Sequence, residues 1–245
     1  MITNHCIQGG SGMKNRSSMV RGMFLGAGAV AISAVLAFGS GGVGVTADEA
    51  LQQLMDGNKR YVAGQMKTCS ASDTAKRESL AKGQKPYAII LSCSDSRVPP
   101  EIIFDKTMGE IFVVRVAGNI PDPVVLGSIE YAAEHIGSPL VMVLGHERCG
   151  AVTATVEAKG KAEGNIGSIV KTIAPAAAKA LKEGKGKSKA EVVEAATDAN
   201  LDLVAASLTK KSPVIRHLVK EGTLKIVKAK YDLDDGTVVL MDGKK

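Results

Sequence analysis

Cysteine and histidine residues that could bind a metal ion occur at two places in the chain, each directly after an apolar run. The run 87–91 leads into Cys93, and the run 140–144 leads into His146 and Cys149. Thiolate and imidazole groups are ligands that zinc prefers. Three protein ligands leave one coordination position open, which is typical of a catalytic zinc site rather than a structural one.

Each of these residues also has an interpretation that involves no metal. A single buried cysteine is most often a small apolar side chain, and a histidine at a strand end is often a hydrogen-bonded core residue. In an oxidising compartment, Cys93 and Cys149 could instead form a disulfide. Spacing alone leaves these alternatives open, and it assigns no role to Cys69.

Hydrophobic patterning predicts the elements that position these residues. The predicted strands are 87–91, 111–116, 140–144, 223–230 and 237–241. Helical spacing predicts helices at 49–63, 124–136 and within 151–211, the first of them with Asp48 as its N-cap. Strands that alternate with helices indicate an α/β fold: a mainly parallel central sheet of four strands plus an edge strand, flanked by helices, with an N-terminal helical arm. In such sheets, ligands bind beyond the carboxyl ends of the strands.

Residues 1–47 differ in composition from the rest of the chain. They hold 10 of the 27 glycines, and three basic residues precede a stretch that is uncharged as far as Ala47. This order is typical of a secretory signal cleaved after Ala47, with a retained membrane anchor as the less favoured alternative. We therefore expect residues 48–245 to form a single domain that is periplasmic or secreted, with no membrane attachment after cleavage.

The charge and the aromatic content argue against a nucleic-acid partner. Half of the net charge of +6 lies within residues 1–47, so the remainder carries a modest +3. Only 3% of residues are aromatic and none is Trp, so few side chains are available for stacking on bases. With 45% hydrophobic residues, the chain can build a packed core.

Taken together, the motifs resemble those of the β-class carbonic anhydrases. Cys93-x-Asp95-x-Arg97 is followed, 53 residues after Cys93, by His146-x-x-Cys149-Gly150. Further matching segments are Gly83-Gln84, Gly109-Glu110-x-Phe112, Arg115, Ala117-Gly118-Asn119, Ile129-Glu130-Tyr131 and Ser212-Pro213-Val214. The resemblance covers roughly residues 49–241, and it is to the accessible-site, plant-like subgroup, here in an exported bacterial form.

The resemblance implies reversible hydration of carbon dioxide to bicarbonate and a proton. It implies one Zn²⁺ per chain, bound by Cys93, His146 and Cys149. It also implies a catalytic dyad in which Arg97 orients Asp95, and Asp95 accepts a hydrogen bond from a zinc-bound hydroxide.

For the substrate pocket, the resemblance implies a side-chain donor, two ring residues and a backbone amide. These are Gln84, Phe112, Tyr131 and Gly150. The resemblance further implies a homodimer or a dimer-based higher oligomer, in which the helix at 49–63 crosses to the partner.

The chain departs from the family pattern after the metal-binding histidine, where Glu147 and Arg148 stand in place of a small hydroxyl residue and its neighbour. Two alternative functions remain open. One is a hydrolase of a sulfur analogue, carbonyl sulfide or carbon disulfide, on the same scaffold. The other is a non-catalytic zinc or redox protein, although such a protein has no need of Asp95, Arg97 and Gln84.

Overall fold

The structure is a computed structural model that describes residues 43–68, 73–158 and 161–241. The strands are β1 (Ala88–Ser92), β2 (Ile111–Arg115), β3 (Leu140–His146), β4 (Lys225–Tyr231) and β5 (Val238–Leu240). The helices are α1 (Ala47–Val62), α2 (Thr74–Leu80), α3 (Pro100–Ile103), α4 (Pro123–Glu130), α5 (Gly150–Ala158), α6 (Ile166–Glu183), α7 (Lys189–Lys211) and α8 (Pro213–Lys220). Most of the predicted signal segment, and Cys69, lie outside the described residues.

The five strands form one sheet in the order β2-β1-β3-β4-β5. The first four strands are parallel, and β5 is antiparallel to β4 at the edge. The predicted sheet of four parallel strands plus an edge strand is therefore confirmed. Every residue of β1 and β3 is buried, since helices cover both faces of the sheet at these central strands. Among the described residues, no helix combines the length and the apolar character needed to cross a membrane.

Alternate residues of the central strands contribute to two separate hydrophobic clusters. Ala88 and Ile90 of β1 pack with residues of α1, α5 and α6, and we call this side of the sheet the α6 face. Ile89 and Leu91 pack with residues of α4, the second half of α7 and α8, and we call this side the α4 face. Because side chains alternate along a strand, position in the strand decides which face each one reaches.

Helix α1 begins at Ala47 and has Thr46 as its N-cap, two residues before the predicted N-cap, Asp48. Thr46 has an extended backbone, its hydroxyl accepts from the Glu49 amide at 3.2 Å, and the Glu49 carboxylate accepts from the Thr46 amide at 2.8 Å. This reciprocal capping box satisfies two amides at the helix start. The prediction of Asp48 as N-cap was wrong, because Asp48 lies within the first turn.

Helix α1 packs on its own domain. The buried Asn58 side chain donates to the Gly236 carbonyl at 2.9 Å and accepts from the Val238 amide at 2.9 Å. Near the end of the helix, Arg60 Nε lies 2.6 Å from a carboxylate oxygen of Asp105. These contacts tie α1 to the loop before β5 and to the end of α3. The predicted crossing of this helix to a partner subunit stays a prediction.

Candidate metal centre

The Cys and His residues predicted as metal ligands meet at the carboxyl-terminal edge of the sheet. Cys93 directly follows β1, His146 is the last residue of the adjacent β3, and Cys149 precedes α5. One ligand atom from each lies within 4.8 Å of the other two, and all three residues are buried. Adjacent parallel strands end at the same edge, which is why residues 53 positions apart converge. The group could hold a metal ion.

The hydrogen bonds of His146 leave one ring nitrogen available to a metal. Nδ1 lies 2.8 Å from the Glu147 carbonyl oxygen, and a carbonyl only accepts, so Nδ1 carries the proton and donates. Nε2 is therefore the ring nitrogen with a lone pair. It is buried and has no hydrogen-bond partner within the described part of the chain. A buried nitrogen without a partner, facing two thiols, fits a metal ligand.

The two thiols affect each other's protonation. The hydrogen bond from the Cys149 thiol lowers the pKa of Cys93, although burial opposes this effect. The same pairing with Cys93, together with burial, raises the pKa of Cys149. The pair thus favours one thiolate sharing the remaining proton. A bound cation would replace that proton, since the thiolate is the form that ligates metals.

The backbone of a glycine also stabilises the Cys93 thiolate. The Gly118 amide donates to Cys93 Sγ at 3.3 Å. Gly118 has a φ of +72°, and a Cβ there would lie 2.6 Å from Ile173 Cδ1. The Asn200 side-chain amide donates to the Gly118 carbonyl at 3.1 Å. Glycine suits this position well, since the position combines a left-handed backbone with close packing.

Asp95 and Arg97 form a two-pronged ion pair beside the Cys–His–Cys group. Arg97 Nε donates to Asp95 Oδ1 at 2.9 Å, and Nη2 donates to Oδ2 at 2.7 Å. These bonds hold the pKa of the Asp95 carboxyl well below its usual range. Asp95 Oδ2 also lies 3.9 Å from His146 Nε2. An ionised, oriented carboxylate therefore faces the position that a metal would occupy.

Arg115, the last residue of β2, holds the loop that carries these residues. Its Nε donates to the Cys93 carbonyl at 2.9 Å, and its Nη2 donates to the Asp95 carbonyl at 2.6 Å. Arg115 and Gly118 are not among the predicted site residues. Both residues stand in segments that match the family, which could have indicated that they belong to the site. Nothing in their spacing indicates which atoms they contact.

Of the four remaining predicted site residues, one lies beside the Cys–His–Cys group and three lie away from it. Gly150 is the first residue of α5 and follows the predicted ligand Cys149, so its amide belongs to the start of that helix. Gln84 is exposed and precedes the amino-terminal end of β1, the edge of the sheet opposite to Cys93. Phe112 and Tyr131 contact each other, with ring centroids 6.3 Å apart.

These two rings lie away from the Cys–His–Cys group of their own chain. Phe112 pairs with Ile89 in the sheet and packs on the α4 face, whereas Cys93 and Cys149 belong to the α6 face. Tyr131, at the start of a π-helical turn that continues α4, is 49% exposed. Within one chain, the structure therefore brings the predicted metal ligands, the ion pair and Gly150 together, but not Gln84 or the two rings.

Comparisons with known proteins agree with this geometry. The family model "Carbonic anhydrase" matches residues 88–238. Carbonic anhydrase 2 of Mycobacterium tuberculosis is 40% identical over 196 residues, which cover 79% of this chain and 92% of the relative. A carbonic anhydrase of Mycolicibacterium smegmatis is 41% identical over 194 residues, covering 78% and 91%.

A solved structure is similar over most of its length as well. The β-carbonic anhydrase CafA of Aspergillus fumigatus superposes with a TM-score of 0.66 at 25% identity, covering 80% of this chain and 92% of that one. Similar sequence, similar fold and a buried Cys–His–Cys group coincide in one molecule. The chain therefore belongs to the carbonic anhydrase family, in its β class.

Proposed function

We propose that this protein is a zinc enzyme that converts carbon dioxide and water into bicarbonate and a proton, reversibly. Cys93, His146 and Cys149 would hold the zinc ion. The observation that carries the proposal is the buried, unpartnered Nε2 of His146, which faces two thiols beside the Asp95–Arg97 pair. When bound, zinc supplies Lewis acidity, which lets water act as a nucleophile near neutral pH.

The chain's own residues orient the reaction. Asp95 is ionised and can only accept hydrogen bonds. It would accept one from the attacking nucleophile, and this bond would aim a lone pair of the nucleophile at the carbon of the substrate. Arg97 fixes that carboxylate through both of its oxygens. The Gly150 amide, at the start of α5, is placed to stabilise negative charge that develops on a substrate oxygen.

We assign the site to the accessible subgroup, in which the carboxylate of the Cys-x-Asp motif does not itself bind the metal. Both Asp95 oxygens are engaged by Arg97, which keeps this side chain in a bridging position between the arginine and the metal site. The chain has no Trp, and Ile90 stands where the closed-site subgroup carries one. Water or a small anion would then complete the zinc coordination.

We further propose a homodimer in which each subunit completes the pocket of the other. Gln84, Phe112 and Tyr131 match pocket residues, yet they lie away from the Cys–His–Cys group of their own chain. Tyr131 is half exposed, and its ring lies beside that of Phe112, a residue of the edge strand β2. These residues could instead serve the metal site of a second copy of the chain. In a dimer with a two-fold axis, the same patch of each subunit would lie at the site of the other.

For its location, we propose a periplasmic or secreted protein, on the basis of the basic, apolar and small-residue order in residues 1–47. Cleavage after Ala47 would remove Thr46 and with it the capping box of α1. N-terminal sequencing of exported protein tests both points. A mature chain that begins before Thr46 keeps the cap, whereas retention of residues 13–40 would favour the membrane anchor.

The decisive experiment is stopped-flow hydration of carbon dioxide by the zinc-loaded protein, with zinc content measured on the same sample. We expect one zinc per chain and catalysis well above the buffer rate. Parallel assays with carbonyl sulfide and carbon disulfide test the alternative substrates. A full equivalent of zinc without carbon dioxide turnover would refute the proposed activity, and an absence of zinc would refute the metal assignment.

A further inference from the structure

The turn between β3 and α5 adopts an unusual backbone conformation at Arg148. Its φ is +49°, in the left-handed region that side-chain-bearing residues seldom occupy. Arg148 stands directly before Cys149 and two residues after His146, so its conformation sets the spacing of these two ligands. Surrounding contacts must stabilise such a conformation for it to persist.

The Arg148 side chain donates to Asp234 at 2.9 and 3.1 Å, and its backbone amide is held by a residue of α7. The Arg148 amide donates to Oε1 of Glu194 at 2.8 Å, across 46 residues of sequence. Glu194 Oε2 in turn lies 2.8 Å from Nζ of Lys230, a mostly buried lysine on β4. The sheet thereby fixes the carboxylate, and the carboxylate fixes the turn.

The other side of the same residue faces the catalytic ion pair. The Arg148 carbonyl accepts from Nη2 of Arg97 at 3.4 Å, and this nitrogen also donates to Asp95. One residue therefore presents its amide to Glu194 and its carbonyl to Arg97. A rotation of the backbone at Arg148 would shift the Cys149 thiol and the Arg97 contact together.

We propose that Glu194 is a positioning residue of the metal centre: it holds Arg148 in the left-handed turn and so sets the place of Cys149 and the orientation of Arg97. The inference rests on the proposed function, because it presumes that zinc binds at the Cys–His–Cys group. The hydrogen bonds and ion pairs of Glu194 within the described residues reach the Arg148 amide and Lys230 but no ligand side chain, so it acts through the backbone of the turn. Nothing in the sequence singles it out, since it lies in an Ala-rich helical stretch.

The test is the rate at which the zinc-loaded protein releases its metal to a chromogenic chelator. We expect Glu194→Ala to release zinc about 10- to 100-fold faster than the unmodified chain, because loss of an outer-shell partner lowers metal affinity by about that factor. Glu194→Gln keeps an oxygen acceptor for the Arg148 amide, so we expect release within about threefold of the unmodified chain. Slow zinc release in Glu194→Gln would show that the hydrogen bond to the Arg148 amide, rather than the charge of Glu194, positions the turn.

Asp198→Ala is the matched control. Asp198 lies one helical turn after Glu194 and contacts the same lysine, with Oδ1 2.9 Å from Lys230 Nζ, but none of its hydrogen bonds or ion pairs in the described chain involves Arg148. We expect this variant to lose a similar ion pair and to release zinc at the unmodified rate. Equal acceleration in Asp198→Ala and Glu194→Ala would reduce Glu194 to a structural ion pair and overturn the proposal.

Arg148→Gly provides a second test, which remains informative if Glu194→Ala folds poorly. Glycine adopts the left-handed conformation without steric cost, so the turn then depends less on its anchor. On the Arg148→Gly background we expect Glu194→Ala to change zinc release by less than about threefold. An undiminished effect on that background would contradict a role through the turn, whereas failure of the unmodified chain to bind zinc would instead refute the proposed function.

Discussion

The Gly118 amide donates a hydrogen bond to Sγ of Cys93 at 3.3 Å, and this contact joins the turn after β2 to the first residue after β1. An amide donor stabilises the thiolate over the thiol, as metal ligation requires. Gly118 makes this contact from a left-handed backbone conformation, with a φ of +72°. A glycine that contributes no side chain therefore shapes the electrostatics of the site.

We expect Gly118→Ala to lower the free energy of unfolding by about 2–4 kcal/mol and to weaken zinc binding. The added Cβ would meet Ile173 Cδ1 at 2.6 Å, in addition to the strain of a positive φ. Urea unfolding and zinc titration measure the two effects. Gly222→Ala is the control, because Gly222 has nearly the same φ of +73° and open space around it. Equal losses in the two variants would show that close packing at Gly118 is unimportant.

We expect Cys93→Ser to bind far less than one zinc per chain after dialysis. A hydroxyl oxygen is neither ionised at neutral pH nor a soft ligand, so the variant loses the thiolate that the Gly118 amide supports. Atomic absorption on the folded variant gives the stoichiometry, with circular dichroism as the check on folding. A full equivalent of zinc in Cys93→Ser would refute the ligand assignment.

We expect Asp95→Asn and Arg97→Ala each to lower kcat/KM by about 100-fold or more while the fold remains intact. A carboxylate accepts hydrogen bonds through both of its oxygens, whereas asparagine has an NH2 donor in place of one of them. Without Arg97, the Asp95 carboxylate loses both of the bonds that orient it. Stopped-flow hydration measures the loss. Asp202→Asn, which removes another exposed ion pair with Lys228, should leave turnover unchanged. Turnover near that of the unmodified chain in both dyad variants would refute the dyad.

The proposed exchange of pocket residues between subunits predicts complementation. Gln84→Ala has an intact metal centre but no donor, and Cys93→Ser has the donor but an impaired metal centre. In a mixed dimer, the Cys93→Ser subunit would supply Gln84 to the intact metal centre of its partner. We expect each variant alone to be weakly active and the mixed dimer, isolated after co-expression, to recover about half of the unmodified turnover, because one of its two sites is complete. If Gln84 serves its own chain, co-expression restores nothing.

Asp105 predicts how stability depends on pH at the acid end. Burial opposes ionisation, but hydrogen bonds from Thr68, Arg60 and the Lys67 amide prevail and lower the pKa of this carboxyl to about 2. An unfolded aspartate titrates near 3.9. A carboxyl whose pKa is depressed by folding stabilises the protein above the unfolded pKa, and this contribution disappears as the pH falls through the folded pKa.

We therefore expect Asp105→Asn to be less stable than the unmodified chain by about 2 kcal/mol at pH 7. The difference should shrink between about pH 4 and pH 2, where the unmodified chain takes up its proton. Urea unfolding of both proteins across this range measures the difference. A gap that persists unchanged at pH 2 would show that Asp105 stabilises by packing rather than by its charge.

The sequence alone predicted the features that depend on residues close together in the chain. The apolar runs that become β1 and β3 are buried along their whole length, so they could be recognised without knowledge of their neighbours. Cys93 and His146 could be recognised as candidate ligands because they stand at the ends of parallel strands, which share an edge, whereas the family resemblance implied the zinc assignment. The Asp95–Arg97 pair spans two residues on one loop, so the dyad that the family resemblance implies involves no distant contact.

The tertiary structure decided the features that depend on distant contacts and on strand position. The bonds from Gly118 to Cys93 and from Glu194 to Arg148 join residues 25 and 46 positions apart, and no local pattern encodes such pairs. Likewise, the place of Phe112 on the α4 face follows from side-chain alternation within β2 and from the pairing of that strand with β1. Residue types determine which chemistry is available, whereas packing determines which atoms meet, because each such contact depends on the whole sheet and the helices that cover it.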